Sequence, residues 1–170
     1  NYRRIQRMVR EKGLEPVWKK YVEATGELSR LCYREEIEAA MRTKDLSGIS
    51  LLGLQDFPGQ GTALVGMLDS HLEPKPEKFR AFFKEQLVLV GLEKYTYEEG
   101  ETLCADVQIA NYGKTDCAGD LEWTLWAYMP NEELDSVRKV AVKSGHMSAV
   151  SCPKGTLSKA GTLKIELNNK

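Results

Sequence analysis

The sequence predicts an α+β chain: a mostly helical segment, residues 1–85, followed by an antiparallel β-sandwich, residues 86–170. Three observations carry this expectation. Apolar residues recur at helical spacing through the first 43 residues. A single apolar run of strand length, from Ile49 to Leu54, ends in Gln55-Asp56 and a Pro/Gly loop before a helical pattern resumes. From about Gln86 the period of the apolar residues falls to two, with turn residues between the runs.

The helical segment opens with a short amphipathic stripe, Ile5, Met8, Val9 and Lys12, which Gly13 closes as a C′ residue. Pro16 suits the first turn of the next helix, where Val17, Trp18, Tyr21 and Val22 form the apolar face. Thr25-Gly26 is expected to break that helix. A longer one starts at Glu27, carries Leu28, Leu31, Cys32, Ile37, Ala40 and Met41 at helical spacing, and ends near Arg42.

The run from Ile49 to Leu54 is apolar on both faces, as in a strand covered on both sides. Thr62 can N-cap the helix that follows, with Ala63, Leu64, Met67, Leu68, His71 and Leu72 on one face. Pro74 and Pro76 end this strand–loop–helix unit, and Phe79, Phe82 and Phe83 cluster on the segment leading to Leu87. A lone unit of this kind cannot bury itself.

Five strands are expected beyond Gln86: Leu87 to Val90, Leu103 to Ile109, Leu121 to Ala127, Val137 to Val142 and Thr162 to Leu167. Glu98-Glu99-Gly100, Asn111-Tyr112-Gly113 and Ala118-Gly119-Asp120 mark turns between them. Such spacing fits an immunoglobulin-like sandwich with fewer strands than the usual seven.

Composition narrows the function classes. The formal net charge of −1 gives no overall pull toward nucleic acid or an acidic membrane. The basic residues of the first twenty positions read as solvated helix faces rather than a nucleic-acid patch, because no aromatic interleaving or dedicated motif supports the latter. Cys32, Cys104, Cys117 and Cys152 lie far apart without a C-x-x-C pair, so they read as free thiols of a reducing compartment rather than a zinc site. No cofactor or metal is implied, and no apolar run reaches membrane-spanning length. The chain begins at Asn with no visible signal peptide, and it is read as a piece of a longer protein.

Several residues are candidates for chemistry. Gln55 and Asp56, at the end of the apolar strand, can accept and donate hydrogen bonds to the hydroxyl groups of a ligand, a role set against the common use of such an Asp in a local Asx turn. Glu35, Glu36 and Glu38 form a carboxylate cluster, but Arg34–Glu38 and Glu38–Arg42 have the spacing of ordinary helix-surface ion pairs. Within it, Glu38 with Arg42 is the better candidate, being nearest the strand motif. The loop from Pro58 to Thr62 reads as a tight turn, since it lacks the full signature of a phosphate loop. His71 and His146 have no partners at ligand spacing and read as surface or packing residues. Trp123 shares a strand face with Leu121 and Leu125 and reads as core. Trp126 points the other way with Tyr128; sheet packing is the preferred reading for it, and stacking on a sugar ring, as in a carbohydrate-binding module, is the alternative.

The run Leu31-Cys32-Tyr33-Arg34-Glu35-Glu36-Ile37-Glu38-Ala39-Ala40-Met41-Arg42-Thr43, followed by Gly48-Ile49-Ser50-Leu51-Leu52-Gly53-Leu54-Gln55-Asp56-Phe57-Pro58-Gly59-Gln60-Gly61-Thr62-Ala63-Leu64-Val65-Gly66, resembles bacterial glycoside hydrolases of the family 2 type. These are commonly labelled β-galactosidases or sugar-binding-domain proteins. The resemblance covers about the first 90 residues; beyond them only the expected sandwich agrees. It implies that Ile49 to Leu54 is the last strand of a TIM-type (β/α)8 barrel, with its C-terminal end facing substrate. It also implies a β-galactoside-like carbohydrate as partner of the intact parent, and self-association through barrel surface left open in this piece. No position matches either catalytic glutamate of the family, whose retaining members need two carboxyl groups about 5–5.5 Å apart. Activity is therefore expected of the parent, not of this chain alone. The alternative is a non-catalytic carbohydrate- or protein-binding accessory module.

Overall fold

The structure is a computed structural model and describes residues 2–51, 76–131 and 136–168. The chain is mixed α and antiparallel β, and it divides into two compact units, Asn1–Lys84 and Glu85–Lys170.

In the first unit, helix α1 spans Tyr2–Glu11. It stops where Gly13 takes a left-handed φ of 65°, a conformation that costs glycine little. The Gly13 amide donates to the Arg10 carbonyl and the Leu14 amide to the Val9 carbonyl, each at 2.9 Å, which is the paired closure of a Schellman motif. A 3₁₀ turn with Pro16 near its start, Glu15–Val17, leads into helix α2, Trp18–Arg42.

Thr25-Gly26 does not break this helix, contrary to the sequence expectation: α2 runs 25 residues without interruption. Glycine inside a helix costs only about 1 kcal/mol relative to alanine. The Thr25 hydroxyl folds back onto the Tyr21 carbonyl at 2.9 Å, so it does not divert the backbone. The expected end near Arg42 is where α2 stops. The Thr43 amide closes on the Ala40 carbonyl and its hydroxyl on the Ala39 carbonyl.

Residues 49–51, the described part of the expected barrel strand, belong to neither helix nor strand. A strand completes its hydrogen bonds only with a neighbour, and among the described residues no segment pairs with this one. The rest of that strand, its loop and the following helix lie outside the described residues. Helix α3, Pro76–Arg80, is tied to α2 by an ion pair from Lys78 to Glu27 at 2.9 Å and by Tyr33 against Phe79, ring centres 6.0 Å apart. Phe82 packs against Phe79 with the rings tilted by 48° and is buried; Phe83, expected in the same cluster, is exposed.

Among the described residues, the second unit holds five strands: β1 Gln86–Leu92, β2 Thr102–Asn111, β3 Cys117–Asn131, β4 Ser136–Cys152 and β5 Thr156–Glu166. They form a three-stranded antiparallel sheet, β1-β2-β5, and a two-stranded ribbon, β3-β4. The alternation of β1 buries Leu87 and Leu89 and exposes Val88, Val90 and Leu92. Sheet and ribbon meet over Ile109, Val150 and Cys152, with Cys117, Leu121, Met147 and Ala160 packed around them.

Ala118-Gly119-Asp120 is not a turn, as its composition suggests, but part of β3. The pairing Gly119 to Val150 is followed by Leu121 to Met147, so Ser148 and Ala149 oppose Asp120 alone. The Asp120 carboxylate accepts the Ala149 amide at 2.8 Å, which holds Ala149 at a left-handed φ of 55°. Turn-like residues here serve a bulge.

One buried polar residue ties the unit together. Asn111 is 0% exposed, and its side chain donates to the carbonyls of Thr115 and Cys152, both at 2.9 Å. Its Oδ1 accepts the Gly113 amide and the Gln86 side chain, both at 3.1 Å. The β1 strand, the end of β2, the approach to β3 and the end of β4 thus meet at one amide group.

Candidate functional site

The exposed face of the β3-β4 ribbon is the candidate site. Along β3, Glu122, Thr124, Trp126 and Tyr128 point outward, while Leu121, Trp123, Leu125 and Ala127 are half-buried on the other face. Opposite them on the outward face stand His146, Ser144, Ala141 and Lys139, in register with Glu122, Thr124, Trp126 and Tyr128. Trp126 is 42% exposed and Tyr128 66%, so an aromatic pair two residues apart lies open on the outer face of the ribbon. The Lys139 ammonium sits 4.1 Å from the centre of the Trp126 ring and 5.8 Å from that of Tyr128. At an exposed site such a contact contributes about 0.5–1 kcal/mol.

A second bulge brings these three side chains together. Leu125 pairs with Lys143, but Trp126 pairs with Ala141, leaving Val142 as an extra residue on β4. Without it Val140 would face Tyr128 and Lys139 would fall on the opposite face, because a one-residue slip exchanges the two faces of a strand. With the two bulges, 17 residues of β4 pair with 15 of β3. On the inner face Trp123 lies across Gly145, its register partner, so closely that a Cβ there would be 2.6 Å from Cζ2 of the indole. Inner and outer tryptophans thus have separate duties, one packing and one facing solvent.

The arrangement suits a ligand that offers a flat C–H surface to the rings and hydroxyl groups around its rim. The rings supply apolar area with a polar tip on Tyr128. Lys139, Thr124, Ser144, Glu122 and His146 supply donors and acceptors alongside.

Glu38 and Arg42 are brought together, but as part of an ion-pair ladder along α2. Arg42 donates to Glu38 at 3.1 Å, Arg34 Nε lies 3.8 Å from its other oxygen, and Arg34 donates to Glu35 at 2.6 Å. The Glu38 side chain is only 16% exposed. Burial raises its pKa above the ordinary carboxylate value, outweighing the pull of Arg34 and Arg42 in the other direction. This ladder belongs to the helical unit, whereas Trp126 belongs to the β-rich one. Gln55 and Asp56 lie outside the described residues.

Lys139 is the site residue that sequence reasoning missed. Its pairing depends on the bulge at Val142, and no local signal marks that bulge. Among the described residues, no group of three or more His, Cys, Asp or Glu side chains is placed to hold a metal ion. Among them, too, no helix is long and apolar enough to cross a membrane. No protein-family model matches the chain, and no curated protein matches it.

Proposed function

We propose that this chain is part of a carbohydrate-active protein of the family-2-like glycoside hydrolase type, and that its β-rich unit is an immunoglobulin-like sandwich that binds glycan through Trp126, Tyr128 and Lys139. The observation that carries the binding role is the open aromatic pair with an ammonium group against it, set on the two-stranded ribbon. The parentage rests on the residues from Leu31 to Thr43 and from Gly48 to Gly66. Hydrolysis in this reading belongs to the intact parent, with the chain contributing contacts to the sugar rather than the reacting carboxylates.

Titration of the purified chain with galactosides and with plant and host glycans, followed by tryptophan fluorescence, tests the binding role. A saturable quench is expected. Trp126→Ala should weaken it by about 1–2 kcal/mol of lost stacking and burial, a five- to thirtyfold loss of affinity. A full panel without any quench, or a quench that Trp126→Ala leaves unchanged, overturns the reading. The parentage has its own test in the gene upstream of Asn1. A barrel pattern with a strand-end glutamate supports it, and any other architecture there removes it.

A further inference from the structure

Two cysteines that sequence places 35 positions apart face each other across the ribbon: Cys117 and Cys152 are register partners where β3 begins and β4 ends. Residues directly opposed in an antiparallel pair have Cα atoms about 4.5–5.5 Å apart. That lies within the range of about 4.4–6.8 Å that a disulfide spans. Directly opposed residues also project on one side of the ribbon, here into the cluster formed with Ile109, Val150 and Leu121. Both are free thiols. The Cys152 sulfur is buried, with the residue 1% exposed, and lies 3.3 Å from the Ile109 carbonyl and 3.5 Å from the Thr156 carbonyl. Cys117 is half-buried and its thiol donates to the Cys152 backbone carbonyl at 3.5 Å, so it lies directly against its partner residue. Neither remaining cysteine has this arrangement: Cys104 pairs with Lys164 on β5, and Cys32 is exposed on α2.

We propose that Cys117 and Cys152 form a cross-strand disulfide when the folded chain meets a small-molecule disulfide such as oxidised glutathione. The more accessible Cys117 reacts first. Its thiolate attacks one sulfur of the oxidant, releases one glutathione thiol and forms a mixed disulfide. The Cys152 thiolate then attacks the Cys117 sulfur and releases the second glutathione thiol. Two protein thiols lose two electrons and two protons, and one glutathione disulfide gains them as two thiols. The register requires no change of strand pairing, so the bond staples the ribbon at the end that also carries the Asn111 contacts.

The test treats the full chain, folded and without denaturant, with oxidised glutathione, alkylates the remaining thiols and maps the peptides by mass spectrometry without reduction. The expected product is a Cys117–Cys152 cross-linked peptide, lighter than its separate parts by two hydrogen atoms, with Cys32 and Cys104 outside any protein disulfide. Its urea midpoint, read by tryptophan fluorescence, should lie above that of the reduced chain and return to it on reduction. Cys104→Ser should keep the cross-link, and Cys117→Ser should lose it. Arrest at a Cys117–glutathione adduct, scrambled pairing, or a cross-link that forms only in denaturant overturns the proposal. So does a cross-linked chain that unfolds at lower urea than the reduced one.

Discussion

Replacing Asn111 by Ala should unlock the β-rich unit, and the size of the effect follows from its contacts. The amide makes four hydrogen bonds, two donated to the Thr115 and Cys152 carbonyls and two accepted from Gly113 and Gln86. Gly113 and Gln86 lie toward the surface, where water can replace the lost acceptor, so each contributes about 0.5–1 kcal/mol. The Cys152 carbonyl is buried, and leaving it without that donor costs about 1–3 kcal/mol. With the Thr115 carbonyl included, the expected loss is about 3–4 kcal/mol. Urea unfolding followed by tryptophan fluorescence reads this unit well, because two of the three tryptophans, Trp123 and Trp126, lie in β3. At a slope of about 1.5 kcal/mol per molar urea, the midpoint should fall by about 2 M.

Asn111→Asp separates hydrogen bonding from volume. It keeps the shape but turns an acceptor-only carboxylate toward two carbonyl oxygens and buries a charge. Its folded-state pKa should therefore be raised. A group so raised favours folding below its unfolded pKa and loses that contribution as pH rises through the folded value. The Asp variant should thus be less stable than the Ala variant at neutral pH and gain on it as the solution is acidified. A loss below about 1 kcal/mol for Asn111→Ala, or an Asp variant as stable as wild type at pH 7, would refute the idea that this amide organises the unit.

Two further predictions concern packing and charge. Gly145→Ala places a Cβ 2.6 Å from the Trp123 ring, and the forced shift should cost about 1–3 kcal/mol and change the near-ultraviolet circular dichroism; an unaltered spectrum and midpoint would show that the indole does not lie across Gly145. In the helical unit, hydrogen bonds from Arg30 and Lys78 hold the Glu27 carboxyl down at about 2, from an ordinary 4.5. A depressed carboxylate stabilises above its unfolded pKa and loses that contribution as pH falls from about 4.5 to about 2. Because the Glu27 side chain is 43% exposed, screening limits the effect to under about 1 kcal/mol. Glu27→Gln should flatten that acid limb of helix unfolding, read by circular dichroism at low salt, and an identical limb in both proteins would exclude the ion pair as its source.

Local chemistry was legible in the sequence. The Gly13 stop, the end of α2 at Arg42 and the existence of five strands follow from short-range periodicity and from residues that tolerate particular backbone angles. Where local signals gave way, a longer-range contribution prevailed. Gly26 yielded to a helix that gains hydrogen bonds on both sides of it, and Ala118-Gly119-Asp120 yielded to a partner strand that absorbs one extra residue. The outward direction of Trp126 and Tyr128 was also legible, because alternation along one strand needs no knowledge of its neighbour.

What sits beside those rings was not. Lys139 reaches Trp126 and Cys117 meets Cys152 only through register, which depends on two bulges whose extra residues look like any others in β4, and Asn111 becomes wholly buried only where β1, β2 and β4 converge. The sequence by itself determined the helical character of the first 43 residues, the extended character of the chain beyond Gln86 and which face of β3 carries aromatic rings, since these follow from dihedral preference and from the period of the apolar residues. The tertiary structure decided which side chains share a surface. Pairing joins residues tens of positions apart, and a single inserted residue exchanges the faces of everything beyond it.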